Sequence, residues 1–224
     1  MKKFLPWRAV LFDMDGIIID SEVYWYAAEK KFAEKHGLNY TEKYRRGIMA
    51  VSPEELARIF QRRFGLKEKA RQIIMERNRL AMDIYCRQAR LLPGFLELMK
   101  KVRRAGFKTA LVSSSPFLWV NPVLRRFKLK KYFDNIISAE EMPDKRGKPH
   151  PAIYLWSAKQ LKVKPRECLV FEDSVNGVKA AKAAGMFCVA VPDKRWIKDR
   201  RGIGAADLAA ASLKDKKIFS ILNL

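Results

Sequence analysis

The residues best suited to chemistry in this sequence are two aspartates that stand two positions apart. Asp13 and Asp15 follow the apolar run Ala9–Phe12, and Gly16 then allows the backbone to turn. Two carboxylates turned toward one cavity repel each other unless a cation neutralises them. Mg²⁺ prefers oxygen ligands and binds through a few carboxylates together with substrate phosphate. The pair therefore favours a magnesium site, although such pairs are also common on protein surfaces.

Other polar side chains also follow directly on short apolar runs. Thr109–Val112 ends in Ser113, and Cys168–Phe171 ends in Glu172 and Asp173. Near-continuous apolar runs of this length are typical of parallel strands that are covered on both faces. Parallel strands finish at the same edge of a sheet, and ligands bind there. We therefore expect four distant side chains to converge: Asp13, Ser113, Glu172 and Asp173.

Helical periodicity fills the segments between these runs. The predicted helices are Gly94–Ala105, Phe117–Phe127, Pro151–Leu161 and Val175–Ala184, and two further strands are predicted at Asn135–Ile137 and Phe187–Val191. Alternation of strand and helix is the signature of a doubly wound α/β fold with right-handed crossovers. The sequence thus predicts a Rossmann-like parallel sheet with helices on both faces.

One long stretch breaks this alternation. Residues 21–92 contain three predicted helices, Glu22–His36, Pro53–Phe64 and Lys69–Cys86, and no strand-like run. We interpret this stretch as an all-helical cap domain inserted after the first strand. The core domain then comprises residues 1–20 and 93–224, and a two-stranded hinge joins it to the cap.

Composition limits the class of protein. At 49% apolar residues the chain can build a core. Its three cysteines, Cys86, Cys168 and Cys188, lack the spacing of a zinc site or a disulfide framework, which favours a reducing cytosol. Charged residues interrupt the first twenty positions, and no window approaches about 18 uninterrupted apolar residues, so neither a secretion signal nor a membrane span is expected. We expect a cytoplasmic monomer.

Four short segments, taken together in their order along the chain, indicate a protein family. They are Ala9–Glu22, Leu111–Ser115, Gly147–Pro151 and Val170–Gly177, and they contain the acidic and serine residues named above. Together they resemble the four signature motifs of the haloacid dehalogenase superfamily. More narrowly, the sequence is similar to the branch that carries a helical cap after the first motif, which includes sugar-phosphate phosphatases and β-phosphoglucomutase. The resemblance extends from about Arg8 to about Val191.

The resemblance implies a role for each matching residue. Asp13 would be the nucleophile that becomes an aspartyl-phosphate, and Asp15 the general acid and then the general base. Ser113, the backbone near Ser114, and Lys148 would bind the phosphoryl group. The ligands of Mg²⁺ would be Asp13, Asp173 and, through its main-chain carbonyl, Asp15, with Glu172 either a further ligand or a residue that supports the ligands.

Each assignment has an alternative that the residues alone leave open. Ser113 could cap the helix that follows it, and Lys148 could be one more surface lysine among 46 basic residues. Glu172 and Asp173 could cap the helix that starts near Ser174, because acidic residues favour helix N-termini.

The substrate is expected to be a small phosphorylated metabolite, bound where cap and core meet. Candidate contacts are Glu22, Trp25, Arg45, Arg46 and Met49, although Trp25 and Met49 could instead pack inside the cap. In mutases of this branch, the resemblance implies a histidine early in the cap, at the position that Trp25 occupies here. It also implies an arginine in the loop between cap helices, but residues 47–52 contain no arginine. Hydrolysis is therefore favoured over phosphosugar mutase activity. Lys30, Lys31 and Lys35 leave the Schiff-base chemistry of the phosphonatases open.

Net charge raises a second class of function. The chain has 46 basic and 24 acidic residues, a net charge of +22, which could bind nucleic acid or another polyanion. Residues 21–92 hold 16 basic and 9 acidic residues, so the excess is +7 there and +15 in the remainder. Because the charge is spread over both parts, we expect at most nonspecific electrostatic binding of nucleic acid.

Overall fold

The computed structural model describes residues 7–39, 41, 53–142, 147–193, 195 and 203–224. Its strands, in chain order, are β1 (Ala9–Phe12), β2 (Ile19–Asp20), β3 (Arg90–Leu91), β4 (Lys108–Ser113), β5 (Asn135–Ser138), β6 (Cys168–Glu172), β7 (Phe187–Ala190) and β8 (Leu208–Ala209). The helices are α1 (Glu22–Lys35), α2 (Pro53–Phe64), α3 (Ala70–Asp83), α4 (Phe95–Arg104), α5 (Phe117–Arg126), α6 (Ala152–Gln160), α7 (Val175–Ala183) and α8 (Lys216–Leu222).

Six of the strands form one parallel sheet in the order β5-β4-β1-β6-β7-β8. Strand β1 lies between β4 and β6, and Phe12 is in register with Leu111 on one side and Phe171 on the other. This register places the residues that follow the three strands side by side at one edge of the sheet. The prediction of a Rossmann-like parallel sheet is confirmed.

Two apolar clusters cover the two faces of this sheet. Val10 and Phe12 of β1 face the cluster that includes α4, α5 and α8, whereas Ala9 and Leu11 face the cluster that includes α6 and α7. Successive side chains of a strand point to opposite faces, so a strand buried on both faces needs an unbroken apolar run. This requirement for apolar runs explains why the strands of the sheet could be predicted from the sequence.

The helical stretch between β2 and β3 has an apolar cluster of its own. Phe32 of α1, Phe60 of α2 and Ile73 of α3 belong to it. Strands β2 and β3 pair antiparallel, with Ile19 opposite Leu91, so the two connections to the sheet run side by side. The division into a core and a cap at residues 21 and 92 stays a prediction.

Several features were not expected from the sequence. Strand β8 and helix α8 are too short for a periodicity argument. Helix α3 continues into a π-helical turn, Ile84–Gln88, instead of ending near Cys86 as an α-helix. The three cysteines are free thiols. Among the helices of the described residues, none is both long and apolar enough to cross a membrane.

Candidate functional site

The site lies in a cleft at the carboxyl edge of β4, β1 and β6. Asp13 follows β1, Ser113 ends β4, and Asp173 follows β6, and all three line the cleft. The backbone N–H of Asp13 donates to the carbonyl of Phe171 at 3.1 Å, which extends the β1–β6 pairing to the aspartate itself. Sheet geometry therefore brings these side chains together from three separate parts of the chain.

Two members of a buried acidic cluster, Asp13 and Asp173, line the site. Asp13, Glu172 and Asp173 each offer a carboxylate oxygen, and these oxygens lie within 4.8 Å of one another. Burial raises the pKa of Asp13 and of Asp173 well above the ordinary value, and neighbouring carboxylates add to that effect. Concentrated, buried negative charge of this kind is stabilised by a cation. Three oxygen ligands are a suitable donor set for a hard divalent ion.

Lys148 supplies positive charge beside this cluster. Its side chain is 1% exposed, and its Nζ lies 2.5 Å from Asp13 Oδ1 and 2.5 Å from Glu172 Oε1. Burial lowers the pKa of the ammonium group, but the two carboxylates more than offset this, so the pKa lies above its ordinary value. Lys148 is therefore a buried part of the cluster and not one more surface lysine.

Three residues that were not among the predicted site residues surround Glu172: Tyr154, Ser174 and Gly177. The hydroxyl of Tyr154 donates to Glu172 Oε1. Gly177 lies so close that a Cβ there would come within 1.9 Å of the Glu172 carboxylate. The hydroxyl of Ser174 donates to Glu172 Oε2 at 3.2 Å and accepts from the N–H of Gly177 at 3.0 Å, so Ser174, rather than the acidic residues, caps α7.

The Asp15 carboxylate lies in the same cleft but has different partners. Its Oδ1 accepts hydrogen bonds from Ser21 Oγ at 2.5 Å and from the hydroxyl of Tyr85 at 2.9 Å, and its Oδ2 accepts from Ser115 Oγ at 3.3 Å. Burial raises the pKa of Asp15, and the three hydroxyl donors offset part of that rise. A buried carboxyl group with a raised pKa is suited to exchange a proton with a neighbouring group.

The serines at the end of β4, Ser113 to Ser115, form a turn ahead of α5. Ser113 Oγ accepts from the N–H of Ser115 at 3.0 Å, so it caps this turn and not the helix. Ser114 Oγ accepts from the N–H of Lys148 at 3.2 Å and thereby connects the turn to the loop that carries the lysine. Both Ser113 and Ser114 line the cleft, beside Asp13.

The opposite wall of the cleft comes from α1 and α3. The predicted contacts Glu22 and Trp25 line it, together with Glu29 and Arg77, which the sequence analysis missed. The guanidinium of Arg77 lies 4.3 Å from the centre of the Trp25 ring, and its Nη1 lies 3.1 Å from Glu29 Oε1. At 5% exposed, Trp25 both packs in the interior and faces the cleft. Helical spacing alone could not distinguish these residues from an ordinary amphipathic face.

The other predicted contacts do not lie in the described part of the site. Arg45, Arg46 and Met49 fall outside the described residues. Lys30, Lys31 and Lys35 are exposed on α1 and do not line the cleft, which argues against a Schiff-base lysine from this helix.

Comparisons with known proteins agree with this architecture. A family model described as haloacid dehalogenase-like hydrolase matches residues 7–185. The chain is 35% identical over 179 residues to a phosphorylated carbohydrates phosphatase of Thermotoga maritima, covering 80% of this chain and 82% of that protein. It is 34% identical over 209 residues to hexitol phosphatase B of Escherichia coli (strain K12), covering 92% and 93%.

The solved structures include a β-phosphoglucomutase from Clostridium difficile. It is 30% identical in sequence, has a TM-score of 0.79, and the alignment covers 97% of both chains. The family model matches most of the chain, and its residues include the acidic cluster, Lys148 and the serine turn described above. The protein therefore belongs to the haloacid dehalogenase-like hydrolases, a family in which its relatives are phosphatases of phosphorylated carbohydrates and a phosphosugar mutase.

Proposed function

We propose that the protein is a Mg²⁺-dependent phosphatase that hydrolyses a small phosphomonoester, with a sugar or polyol phosphate as substrate. The observation that carries the proposal is the arrangement of its two aspartates. Asp13 lies beside a buried ammonium group in an acidic cluster, whereas hydroxyl groups hold Asp15 outside that cluster. One carboxylate is thus arranged as a nucleophile and the other as an acid and base.

The reaction would proceed in two displacements. A carboxylate oxygen of Asp13 forms a bond to phosphorus while the ester P–O bond breaks, and Asp15 gives its proton to the departing alcohol oxygen. Asp15, now ionised, removes a proton from a water molecule that attacks the phosphorus of the aspartyl-phosphate. The acyl-phosphate bond breaks, inorganic phosphate leaves, and Asp13 is regenerated.

The other residues of the site neutralise and orient the phosphoryl group. Lys148 offsets negative charge between the nucleophile and the incoming phosphate, and Ser113 with the backbone near Ser114 offers hydrogen-bond donors. The acidic cluster fits Mg²⁺ because it offers several carboxylate oxygens. Asp13 and Asp173 would be side-chain ligands and the carbonyl of Asp15 a further donor, while Glu172 would either bind the ion directly or support the residues that do. Bound there, Mg²⁺ supplies the positive charge that offsets the phosphoryl oxygens.

The wall formed by α1 and α3 supports a carbohydrate substrate. The indole of Trp25 on α1 lines the cleft together with that of Trp119 on α5, and apolar C–H faces of sugars pack against aromatic rings. Glu22, Glu29 and Arg77 provide charged groups that can hydrogen-bond to hydroxyls. The T. maritima and E. coli relatives are named for phosphorylated carbohydrates and hexitols, which agrees with this chemistry. Residues 21–92 would serve as the cap that closes over the substrate.

A panel of hexose, hexitol and glycerol phosphates, each assayed for released phosphate with Mg²⁺ and with a chelator, tests the proposal. We expect turnover that depends on Mg²⁺ and an acid-stable, hydroxylamine-sensitive phosphoenzyme. Glucose 1-phosphate separates hydrolysis from mutase activity. Release of free phosphate from glucose 1-phosphate would support the proposal. Accumulation of glucose 6-phosphate would contradict it.

Replacing Gly16 by alanine tests the metal site. Gly16 has a φ of +79°, and a Cβ there would come within 1.9 Å of Asp173 Oδ2, so the Asp173 carboxylate must move. We expect Mg²⁺ affinity, measured by calorimetry, to fall about 10- to 100-fold, the range for disturbed support of a metal ligand. Gly106→Ala is the matched control, because Gly106 has a φ of +82° and open space around its Cβ position. Equal loss of affinity in both variants would contradict the assignment of Asp173.

A further inference from the structure

Tyr85 lines the cleft although none of the four sequence motifs includes it. It belongs to the π-helical turn Ile84–Gln88 that follows α3, and it is 1% exposed. Its hydroxyl donates to Asp15 Oδ1 at 2.9 Å and accepts from Trp25 Nε1 at 3.0 Å. Single π-helical turns within α-helices occur often at functional sites, where the extra residue changes the direction of a side chain. Tyr85 therefore connects α1 to Asp15.

The direction of this hydrogen-bond chain follows from the chemistry of its members. An indole N–H can only donate, so Trp25 occupies a lone pair of the Tyr85 oxygen. The tyrosine proton is then available to Asp15 Oδ1, which also accepts from Ser21 at 2.5 Å. Two donors thus engage Oδ1, whereas Oδ2 accepts from Ser115 at the longer distance of 3.3 Å. Oδ2 is the oxygen with remaining capacity to meet a ligand.

We propose that Tyr85 is a positioning residue that fixes the Asp15 carboxylate through Oδ1, so that Oδ2 faces the leaving-group oxygen of the substrate. The inference rests on the proposed phosphatase function, in which Asp15 is the general acid. The two ends of the Asp15 carboxylate then have separate tasks: hydroxyls of Ser21 and Tyr85 hold one oxygen, and the other exchanges the proton. A carboxylate free to rotate would lose this alignment.

The ring and the hydroxyl of Tyr85 have separable roles. Its ring packs against Trp25 and Trp119, with centroid distances of 6.1 Å and 5.9 Å, whereas its hydroxyl meets the polar groups around Asp15. Tyr85→Phe keeps the packing and removes the hydrogen bonds. Tyr132→Phe is a matched control, because Tyr132 lies outside the cleft lining and packs against the main apolar cluster.

The test compares kcat/KM for an alkyl phosphate from the active panel with kcat/KM for p-nitrophenyl phosphate. This parameter covers steps only up to release of the alcohol, and nitrophenolate leaves without protonation. We expect Tyr85→Phe to lower kcat/KM for the alkyl phosphate about 10-fold or more and for the aryl phosphate less than about 3-fold. Tyr132→Phe should change neither. In an Asp15→Asn background, Tyr85→Phe should cause no further loss for the alkyl phosphate.

Three results would overturn the inference. They are an unchanged kcat/KM in Tyr85→Phe, an equal fall in kcat/KM for the two substrates, or a full additional fall in kcat/KM when Tyr85→Phe is added to Asp15→Asn. The first would show that the hydroxyl is dispensable, and the others that it acts on the structure of the cleft in general. A wild-type protein that hydrolyses no phosphate ester of the panel would instead refute the phosphatase function, and this inference with it. Melting temperatures of all variants distinguish unfolding from loss of alignment.

Discussion

Replacing Asp13 by asparagine is expected to lower kcat/KM for phosphate esters by a factor on the order of 10⁴ or more, while the fold persists. An amide is a far weaker nucleophile than a carboxylate, and loss of a nucleophile removes the whole covalent pathway. The fold should tolerate the change because Lys148 keeps its contact with Glu172 at 2.5 Å. Burial and the neighbouring carboxylates raise the pKa of Asp13, so its charge is costly in the metal-free protein. The melting temperature without Mg²⁺ should stay the same or rise.

An assay of released phosphate measures the loss of turnover in this variant. Trapping of the phosphoenzyme tests for the covalent intermediate, and thermal unfolding tests whether the fold persists. Asp83→Asn serves as the control, because Asp83 is an exposed residue at the end of α3 and lies outside the cleft lining. It should retain wild-type turnover. Turnover in Asp13→Asn within about 10-fold of wild type would refute the role of Asp13 as nucleophile. A phosphoenzyme that still forms in that variant would place the nucleophile elsewhere.

Replacing Lys148 by methionine is expected to have the second largest effect, on both stability and turnover. The methionine side chain has a similar length but no charge, so Asp13 and Glu172 lose the ammonium group that lies 2.5 Å from each. Removing one partner of a buried ion pair leaves charge uncompensated and costs about 3–5 kcal/mol. Lys148 is almost completely buried, so solvent screening does not reduce this figure much.

Chemical denaturation without Mg²⁺ measures the stability loss, and kcat/KM in saturating Mg²⁺ measures the catalytic loss. We expect kcat/KM to fall about 100-fold or more, since a preorganised charge beside the transferred phosphoryl group is absent. Added Mg²⁺ should recover part of the stability, because it brings charge to the same carboxylates. Lys179→Met, on the exposed surface of α7, should change stability by less than about 0.5 kcal/mol. A similarly small change in Lys148→Met would show that the carboxylates do not depend on the lysine.

Much of the fold was predictable because its information is local. Strands β1, β4 and β6 are buried on both faces, and this environment requires apolar runs that end where the chain leaves the sheet. The polar residues at those strand ends could therefore be predicted as site residues. Because the strands are parallel, their ends lie at the same edge of the sheet, which predicted that these residues are close together. Short elements such as β8 were not predictable, because two residues contain no period.

The wall opposite the acidic cluster was less predictable. Trp25, Arg77 and Tyr85 occupy helical positions whose spacing is also that of an ordinary buried face, so periodicity could not separate packing from function. Their contacts join α1, α3 and the π-helical turn, and these depend on how the helices pack. The net charge of +22 was a weak guide as well, because it is spread over the chain and not concentrated in one segment.

The sequence by itself determined the family, the parallel sheet, and the identity of the acidic and serine residues at its edge, since each depends on residues that are close together in the chain. Tertiary structure decided which of them touch. It placed the Lys148 ammonium between Asp13 and Glu172, and it gave Asp15 the hydroxyl groups of Ser21, Tyr85 and Ser115. These contacts join residues that are far apart in the chain. The distances between those residues depend on how the helices and turns pack against the edge of the sheet, and local sequence patterns do not contain that information.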